Sequence, residues 1–274
     1  MSHHTIERRF VPTRTGVIHV ATCGSGLPVL LLHQTPRSWD EYRDVLPLLG
    51  GQVRALAMDT PGFGDSPALS GVAPSIEAWA DAVIALMEAL DLPECCLVGH
   101  HTGAVVALEA TVRAPGRVAA LVLSSCPMVD APRRAHHAAK TPIDMVNPDG
   151  EGNHLLQLWR GRQPFYPPEM PALLDRFMVD ALRAGPMAAE GHRVVNRYHM
   201  EERIGLVRAP TLVIGATDDP HAFPAVPRIA TAIPHAEVTE IAGGTVPLPD
   251  ALPAPFSEAI LQFLHARELL ASAD

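Results

Sequence analysis

The fold predicted for this chain is decided by the stretch CCLVGHHTGAV, residues 95–105. Apolar residues run up to Gly99, and small residues with helical spacing follow Gly103, which predicts a strand, a sharp turn and a helix. Glycines four positions apart let the chain turn tightly and let the strand pack closely against the helix. The residue at the centre of such a turn projects alone from its tip, and here that residue is His101.

An alternation of strands and helices extends to both sides of this turn. Near-continuous apolar runs, separated by amphipathic segments, occur at residues 29–32, 53–58, 118–123 and 211–215. Such runs are typical of strands that are buried on both faces of a sheet. We therefore predict an α/β fold with a mostly parallel, doubly wound sheet.

The alternation stops between residues 126 and 206, where prolines and charges increase and short helical pieces take its place. This segment is too long for a plain loop, so we expect a folded helical insertion. Residues 1–125 and 207–274 then form one core domain. Ligands of doubly wound sheets bind beyond the carboxyl ends of the strands, so the loops that follow strands carry the candidate site residues.

The composition limits the kinds of partner. Apolar residues make up 47% of the 274 residues, and a formal net charge of −9 without a basic cluster argues against a nucleic-acid partner. No apolar run approaches the ~20 residues of a membrane span, and the first residues lack an apolar signal core. The spacing of the four cysteines matches neither a metal-binding motif nor a redox-active pair. We expect a cytoplasmic monomer or homodimer that binds a small molecule, without membrane contact.

Three motifs, in this order, resemble those of one large family. The segment LLHQTPRSWDEYRDVLPLL (residues 31–49) looks like a His-Gly-x-Pro loop with its following helix, in which Ser38 and Glu41 predict a capping box. DTPGFGDS (residues 59–66) looks like an Asp-x-Pro-Gly-x-Gly-x-Ser loop, and GHHTG (residues 99–103) looks like a Gly-His-Asp-x-Gly elbow. Over nearly its whole length the chain resembles the α/β-hydrolase superfamily, and especially its haloalkane dehalogenase and epoxide hydrolase branch. The resemblance implies an α/β-hydrolase fold with residues 126–206 as the helical cap.

The catalytic positions depart from this family at two of three places. His101 stands at the elbow, where the family has its nucleophile. In the loop IAGGTVPLPD (residues 241–250), Thr245 stands where the family has its histidine base. The acid position is kept in TLVIGATDDP (residues 211–220), where Asp219 is favoured and Asp218 is the alternative.

These two substitutions are compatible with each other in space. The imidazole of His101 is longer than a serine side chain, and threonine at position 245 vacates about the volume of one ring next to the acid. A ring rising from the elbow would meet Asp219 in that space. We therefore predict a His–Asp dyad in which the carboxylate fixes the tautomer of a ring suited to proton transfer near neutral pH.

Backbone amides at the elbow predict an oxyanion site. The amide of Thr102 lies at a helix N-terminus, and the amide of Gln34 or Thr35 is expected to face it across the cleft. Two such donors stabilise negative charge that develops on a carbonyl oxygen.

Further candidates for contact with a substrate are Trp39, His154 and Trp159. The insertion is rich in polar and aromatic candidates, namely Arg133, Arg134, His136, His137, His154, Trp159, Phe165, Tyr166, His192, Tyr198 and His199. The pair His136–His137 has no third ligand at helical spacing, so we predict neither a metal nor a cofactor site.

Three functions fit these residues. The first is an enzyme that acts on a small carbonyl- or ester-like molecule, with His101 as general base or as nucleophile, by hydrolase or lyase chemistry. The second is a catalytically inactive pseudo-hydrolase that binds a small ligand. The third is a cofactor-free oxygenase, which needs a histidine base and an oxyanion site but no nucleophile.

Overall fold

The computed structural model describes residues 5–270, and an eight-stranded sheet lies at its centre. The strands are β1 Glu7–Thr13, β2 Gly16–Cys23, β3 Pro28–Leu32, β4 Arg54–Met58, β5 Cys95–His100, β6 Val118–Ser124, β7 Thr211–Ala216 and β8 Glu237–Ile241. Their order across the sheet is β1-β2-β4-β3-β5-β6-β7-β8. Strand β2 is antiparallel to β1 and β4, whereas all other neighbouring strands are parallel. The predicted mostly parallel sheet is confirmed.

Helices cover both faces of this sheet. They are α1 Val45–Leu49, α2 Ile76–Ala89, α3 Thr102–Arg113, α4 Ala131–Ala138, α5 Asn153–Arg162, α6 Ala172–Ala184, α7 Pro186–Arg197, α8 Val226–Ala232, α9 Leu248–Ala251 and α10 Pro253–Ala266. Within residues 5–270, no helix has the length and apolar character needed to cross a membrane.

The central strand β3 shows how the sequence builds two cores. Leu30 and Leu32 belong to the apolar cluster that includes α2 and α3, whereas Val29 and Leu31 belong to the cluster that includes α1 and α10. Successive side chains of a strand point to opposite faces, so one apolar run serves both clusters. This double burial fixes the carboxyl end of β3 next to the carboxyl end of β5, with which it pairs.

The segment of residues 126–206, hereafter the cap segment, contributes helices α4 to α7 and no strand to the sheet. Strands β6 and β7 flank it in the sequence and pair directly in parallel. The sheet is therefore continuous across the insertion, as predicted. The cap segment also has a small apolar cluster of its own, around Tyr166, Leu173 and Phe177.

One predicted helix takes a different form. A short 3-10 helix, Trp39–Tyr42, precedes α1, and the Ser38 hydroxyl accepts the amide of Asp40. The carboxylate of Glu41 does not close a capping box. It accepts hydrogen bonds from the backbone amide of Gln34 at 2.9 Å and from the side-chain amide of the same residue at 2.7 Å.

Candidate active site

The elbow between β5 and α3 carries His101 at its tip. The backbone of His101 has φ 46° and ψ −111°, a conformation that costs a non-glycine residue on the order of 1–3 kcal/mol. A Cβ at Gly99 would lie 2.2 Å from the carbonyl oxygen of Gly103, and one at Gly103 would lie 1.9 Å from that of Leu32. Both positions therefore need glycine, and the tight packing that they permit holds the elbow in its strained conformation.

His101 contacts Asp219 at the end of the loop that follows β7. Nε2 of His101 lies 2.8 Å from Oδ2 of Asp219, and the carboxylate is fully buried. The two atoms lie within ion-pair distance, but the direction of the ring N–H does not give a linear hydrogen bond. The predicted proximity of the two side chains is confirmed. Asp218 is exposed, and its carboxylate accepts the hydroxyl of Thr217.

The environment of Asp219 keeps its carboxylate charged and oriented. Oδ1 accepts the backbone amides of His221 at 2.9 Å and Ala222 at 3.2 Å, which leaves Oδ2 for His101. Burial by itself raises the pKa of Asp219, but the charge of His101 and these N–H donors outweigh burial and hold the pKa well below its usual range. A fixed negative charge therefore faces the His101 ring.

The second nitrogen of His101 faces the cleft. A carboxylate can only accept hydrogen bonds, so a neutral His101 carries its proton on Nε2 and its lone pair on Nδ1. Nδ1 has no hydrogen-bond partner among residues 5–270, and the side chain is 15% exposed and lines a cavity. The unprotonated nitrogen is thus available to a bound molecule.

His100 lies beneath the elbow and is fully buried. Its Nε2 donates to the carbonyl of Val246 at 2.8 Å, so its Nδ1 accepts from the hydroxyl of Ser124 at 3.0 Å. Burial, followed by the charge of His101, lowers the pKa of His100 to about 3. His100 is therefore neutral, and it ties the loop after β8 to the end of β5.

Thr245 lies in the same loop, directly before Val246. Its hydroxyl is buried and has no hydrogen-bond partner within the described part of the chain, so it bonds neither His101 nor Asp219. Thr245 is also not among the residues that line the cavity. The structure brings His101 and Asp219 together but does not add Thr245 to them.

Of the backbone amides predicted as oxyanion donors, those of Thr35 and Thr102 are free of other hydrogen bonds within the part of the chain that the structure describes. Gln34 lines the cavity, but its backbone amide donates to Glu41 and is therefore not free for an oxyanion. The amide of Thr35 makes no hydrogen bond within residues 5–270, and that of Thr102 occupies the first position of α3, where no intrahelical acceptor exists. Thr35 and Thr102 both line the cavity with His101, and neither amide donates to another residue that the structure describes.

The cavity has a volume of about 650 Å³ and lies between the elbow and the cap segment. Four of the cap residues singled out from the sequence line it: Arg133, Arg134, His137 and His192. Elsewhere, Tyr198 is buried and donates to Glu109 at 2.6 Å, while His199 is exposed.

The structure does not bring Trp39, His154 and Trp159 to this cavity. The Trp39 ring lies under the guanidinium of Arg8 at 4.8 Å, outside the cleft. His154 is turned towards Asp149 at 3.7 Å, and Trp159 packs against the apolar cluster of the cap segment. The sequence marks these side chains as large and amphipathic but does not show which way their helices face.

Asn196 lines the cavity and was missed by the sequence analysis. It lies in α7 four residues after His192, and Val195 of the same helix also lines the cavity. Residues three and four positions apart share one helix face. This spacing from His192 is the signal that would have found Asn196.

Possible metal ligands converge at one place among the described residues, where atoms of His19, Asp59 and Asp65 lie within 4.8 Å of one another. Arg8 donates to Nε2 of His19 at 3.1 Å and also pairs with Asp65. Asp65 additionally pairs with Arg183. Arginines therefore occupy Nε2 of His19 and the carboxylate of Asp65, while Asp59 lies 2.8 Å from Nδ1 of His19. None of the three residues lines the cavity with His101.

This geometry can be compared with known proteins. The chain belongs to the Alpha/beta hydrolase family, whose sequence pattern matches residues 25–259. It is similar to 2-hydroxy-6-oxo-2,4-heptadienoate hydrolase of Pseudomonas putida, with 34% identity over 103 residues that cover 36% of this chain and 37% of that enzyme. Epoxide hydrolase 3 of Siraitia grosvenorii is 38% identical over 120 residues, covering 43% of this chain and 38% of that enzyme.

A thermophilic esterase from Thermogutta terrifontis has a similar solved structure, with a TM-score of 0.78 at 24% identity, covering 95% of this chain and 99% of that one. This likeness confirms the α/β-hydrolase fold. The two sequence relatives are matched over less than half of their length. Family and fold thus agree, and the reaction of this chain has to be argued from its own site.

Proposed function

We propose that this protein hydrolyses a small ester- or lactone-like molecule, with His101 as general base. The observation that carries the proposal is the 2.8 Å contact between Nε2 of His101 and Oδ2 of Asp219. It leaves Nδ1, the nitrogen on the cavity side, as the proton acceptor. Charge on Asp219 stabilises the imidazolium that forms when this nitrogen takes up a proton.

The reaction proceeds in two proton transfers. Nδ1 of His101 takes a proton from water as the water oxygen attacks the carbonyl carbon, and the carbonyl oxygen becomes an oxyanion. The amides of Thr35 and Thr102 stabilise this charge. The intermediate then collapses by breaking the bond to the leaving oxygen, which receives the proton from the imidazolium. The products are a carboxylic acid and an alcohol, and His101 is neutral again.

A direct attack by water fits the residues around the cavity better than a covalent acyl-enzyme does. No serine or cysteine is among the described residues that line the cavity. The elbow, which positions a nucleophile in ordinary serine hydrolases, presents an imidazole here. An imidazole held against a carboxylate acts as a proton acceptor in the Ser-His-Asp arrangement, so the same pair can activate water.

The test is a screen of small esters and lactones with the wild-type protein, followed by kinetics of His101→Gln on any substrate that is turned over. General-base catalysis contributes about 10²- to 10⁴-fold, so the variant is expected to lose at least 100-fold in kcat. The matched control is His154→Gln, which changes a histidine outside the cavity and should leave kcat unchanged.

Undiminished turnover by His101→Gln would contradict the proposal, because His101 would then not be the base. Binding of these compounds without any turnover would favour a pseudo-hydrolase. Incubation with a fluorophosphonate probe and intact-mass measurement should show no stoichiometric adduct. An adduct, or an acylated His101 during turnover, would show a covalent mechanism instead.

A further inference from the structure

The cavity above the elbow is lined by cations although the chain is acidic overall, with a formal net charge of −9. The cations of its lining are Arg133, Arg134, Lys140, Arg162, Arg193 and Arg197. None of the described residues that line it is Asp or Glu. An enclosed site with charges of one sign concentrates ligands of the opposite sign.

Most of these cations are already paired with carboxylates outside the lining. The pairs are Arg134–Glu201, Arg162–Asp144, Arg193–Glu190 and Arg197–Glu190. Arg133 and Lys140 have no such ion pair in the part of the chain that the structure describes. Lys140 is exposed and lies 2.6 Å from Nε2 of His136, which leaves Arg133 as the half-buried cation without an anion.

Arg133 is held in place by a neutral side chain. Its Nε donates to Oδ1 of Asn196 at 3.1 Å, a contact that joins α4 to α7. Within residues 5–270, the terminal nitrogens of Arg133 and the Nδ2 of Asn196 have no hydrogen-bond acceptor. Burial lowers the pKa of Arg133, and the charges around it, including that of Asp130, compensate only in part. The guanidinium thus presents unused donors on the wall of a cavity that also contains His101.

We infer that Arg133 and Asn196 form a subsite for a carboxylate group of the substrate. The guanidinium fork matches the two oxygens of a carboxylate, and the amide nitrogen beside it adds a third donor. The inference rests on the proposed function, since it places the reacting carbonyl of the same molecule at His101. The substrate class is then a small oxo- or acyl-carboxylate rather than a neutral ester.

The test compares two probes that differ only in their terminal group, 4-oxopentanoate and its neutral analogue 4-oxopentanamide, by isothermal titration calorimetry. The wild-type protein is expected to bind 4-oxopentanoate at least tenfold more tightly than the amide. Arg133→Met and Asn196→Ala should each remove this preference while thermal unfolding still shows a folded protein. Arg197→Met is the matched control. Arg197 lines the same cavity, but its side chain is exposed and already paired with Glu190. It should keep the preference.

Three results would overturn the inference: no preference for 4-oxopentanoate, an equal loss of preference in Arg197→Met, or tighter binding of inorganic phosphate. An equal loss in Arg197→Met would show that the overall positive charge of the cavity attracts the carboxylate, and not a defined subsite. His101→Gln separates this inference from the proposed function, because it should keep the carboxylate preference while turnover is lost. If the preference survives but turnover does not depend on His101, only the proposed function fails. If turnover depends on His101 but the preference is absent, only the subsite fails.

Discussion

His101 and Thr245 were predicted to share the space next to Asp219. The ring at position 101 reaches from the elbow to Asp219, whereas the hydroxyl of Thr245 bonds neither of these residues. The sequence was sufficient to predict this contact, because the loop after β7 and the elbow lie at the same edge of the sheet. It was not sufficient to exclude Gln34 as an oxyanion donor, since that depends on the direction of the buried Glu41 side chain.

The first prediction concerns the tautomer of His101. In Asp219→Asn, the single amide oxygen is expected to accept the two backbone amides that Oδ1 accepts now. The amide nitrogen then faces Nε2, which has to become the acceptor. The ring proton moves to Nδ1, and the base is lost. Long-range ¹⁵N correlation spectra should show the Nε2–H form in the wild type and the Nδ1–H form in the variant. The Nδ1–H form in both proteins would contradict the assignment.

The second prediction is a pH dependence of stability that comes from His100. The unfolded chain binds a proton near pH 6.5, whereas folded His100 does not bind one until about pH 3. Between these values the unfolded state binds more protons, so the free energy of unfolding falls as the pH falls, by about 1.4 kcal/mol per pH unit from this group. His100→Gln, which keeps a donor and an acceptor, should remove this contribution. Between pH 6 and 4, the free energy of unfolding measured with urea should then fall less steeply in the variant than in the wild type, by about 1.4 kcal/mol per pH unit. Parallel curves for the two proteins would show that His100 is not held neutral.

At the scale of the elements, alternation and spacing predicted most of the sheet, because buried parallel strands leave a continuous apolar signal. The region after β3 was less predictable. Ser38 and Glu41 have the spacing of a capping box, but Glu41 bonds Gln34 instead, and a 3-10 helix followed by α1 replaces one continuous helix. A tertiary contact of a buried carboxylate overrides the local pattern there, and no pattern in one sequence reveals it.

The third prediction tests the packing of the elbow. Gly103→Ala places a methyl group 1.9 Å from the carbonyl oxygen of Leu32, so the backbone has to move and the protein is expected to lose several kcal/mol or fail to fold. Gly161→Ala is the matched control, because nothing lies within 4 Å of a Cβ at this helical position. It should be neutral or stabilise by up to about 1 kcal/mol. Urea unfolding measures both, and equal stabilities would refute the close approach.

At the scale of the whole molecule, a buried ion-pair network joins the cap segment to the core. Arg37 is fully buried, and its guanidinium pairs with Asp180 of α6 at 2.8 Å, with Asp250 of α9 and with Asp40 at 3.3 Å. A buried cation of this kind holds together segments that are far apart in the sequence. The network therefore ties α6 of the cap segment to the segment that follows β3 and to α9.

The fourth prediction is that Arg37→Met destabilises the protein by about 3–5 kcal/mol, because it leaves the buried carboxylate of Asp180 without its cation. Asp40 and Asp250 keep their pairs with Arg176. Arg14→Met serves as control. Arg14 pairs with Glu88 at 2.9 Å on the surface, with both side chains well exposed, so its loss should cost no more than about 1 kcal/mol. Urea unfolding gives both values. A loss below 1 kcal/mol for Arg37→Met would show that the network does not tie the cap segment to the core.

The charge of the cavity is a property of the whole molecule that the sequence did not reveal. The chain is acidic overall, and Arg133 was only one of many polar residues in the cap segment. Its significance depends on which cations are neutralised by Glu201, Asp144 and Glu190, and these pairings are set by how the cap helices pack. Residue composition alone carries no information on such pairings.

The most direct test of the account is a double-mutant cycle on turnover with His101→Gln, Asp219→Asn and the double variant. If Asp219 acts only through the ring of His101, the double variant should be no slower than His101→Gln alone, because the two groups act as one unit. Each single variant should lose at least on the order of 100-fold in kcat. Multiplied losses in the double variant would show that the two residues act independently, and kcat near the wild-type value for His101→Gln would contradict the central claim.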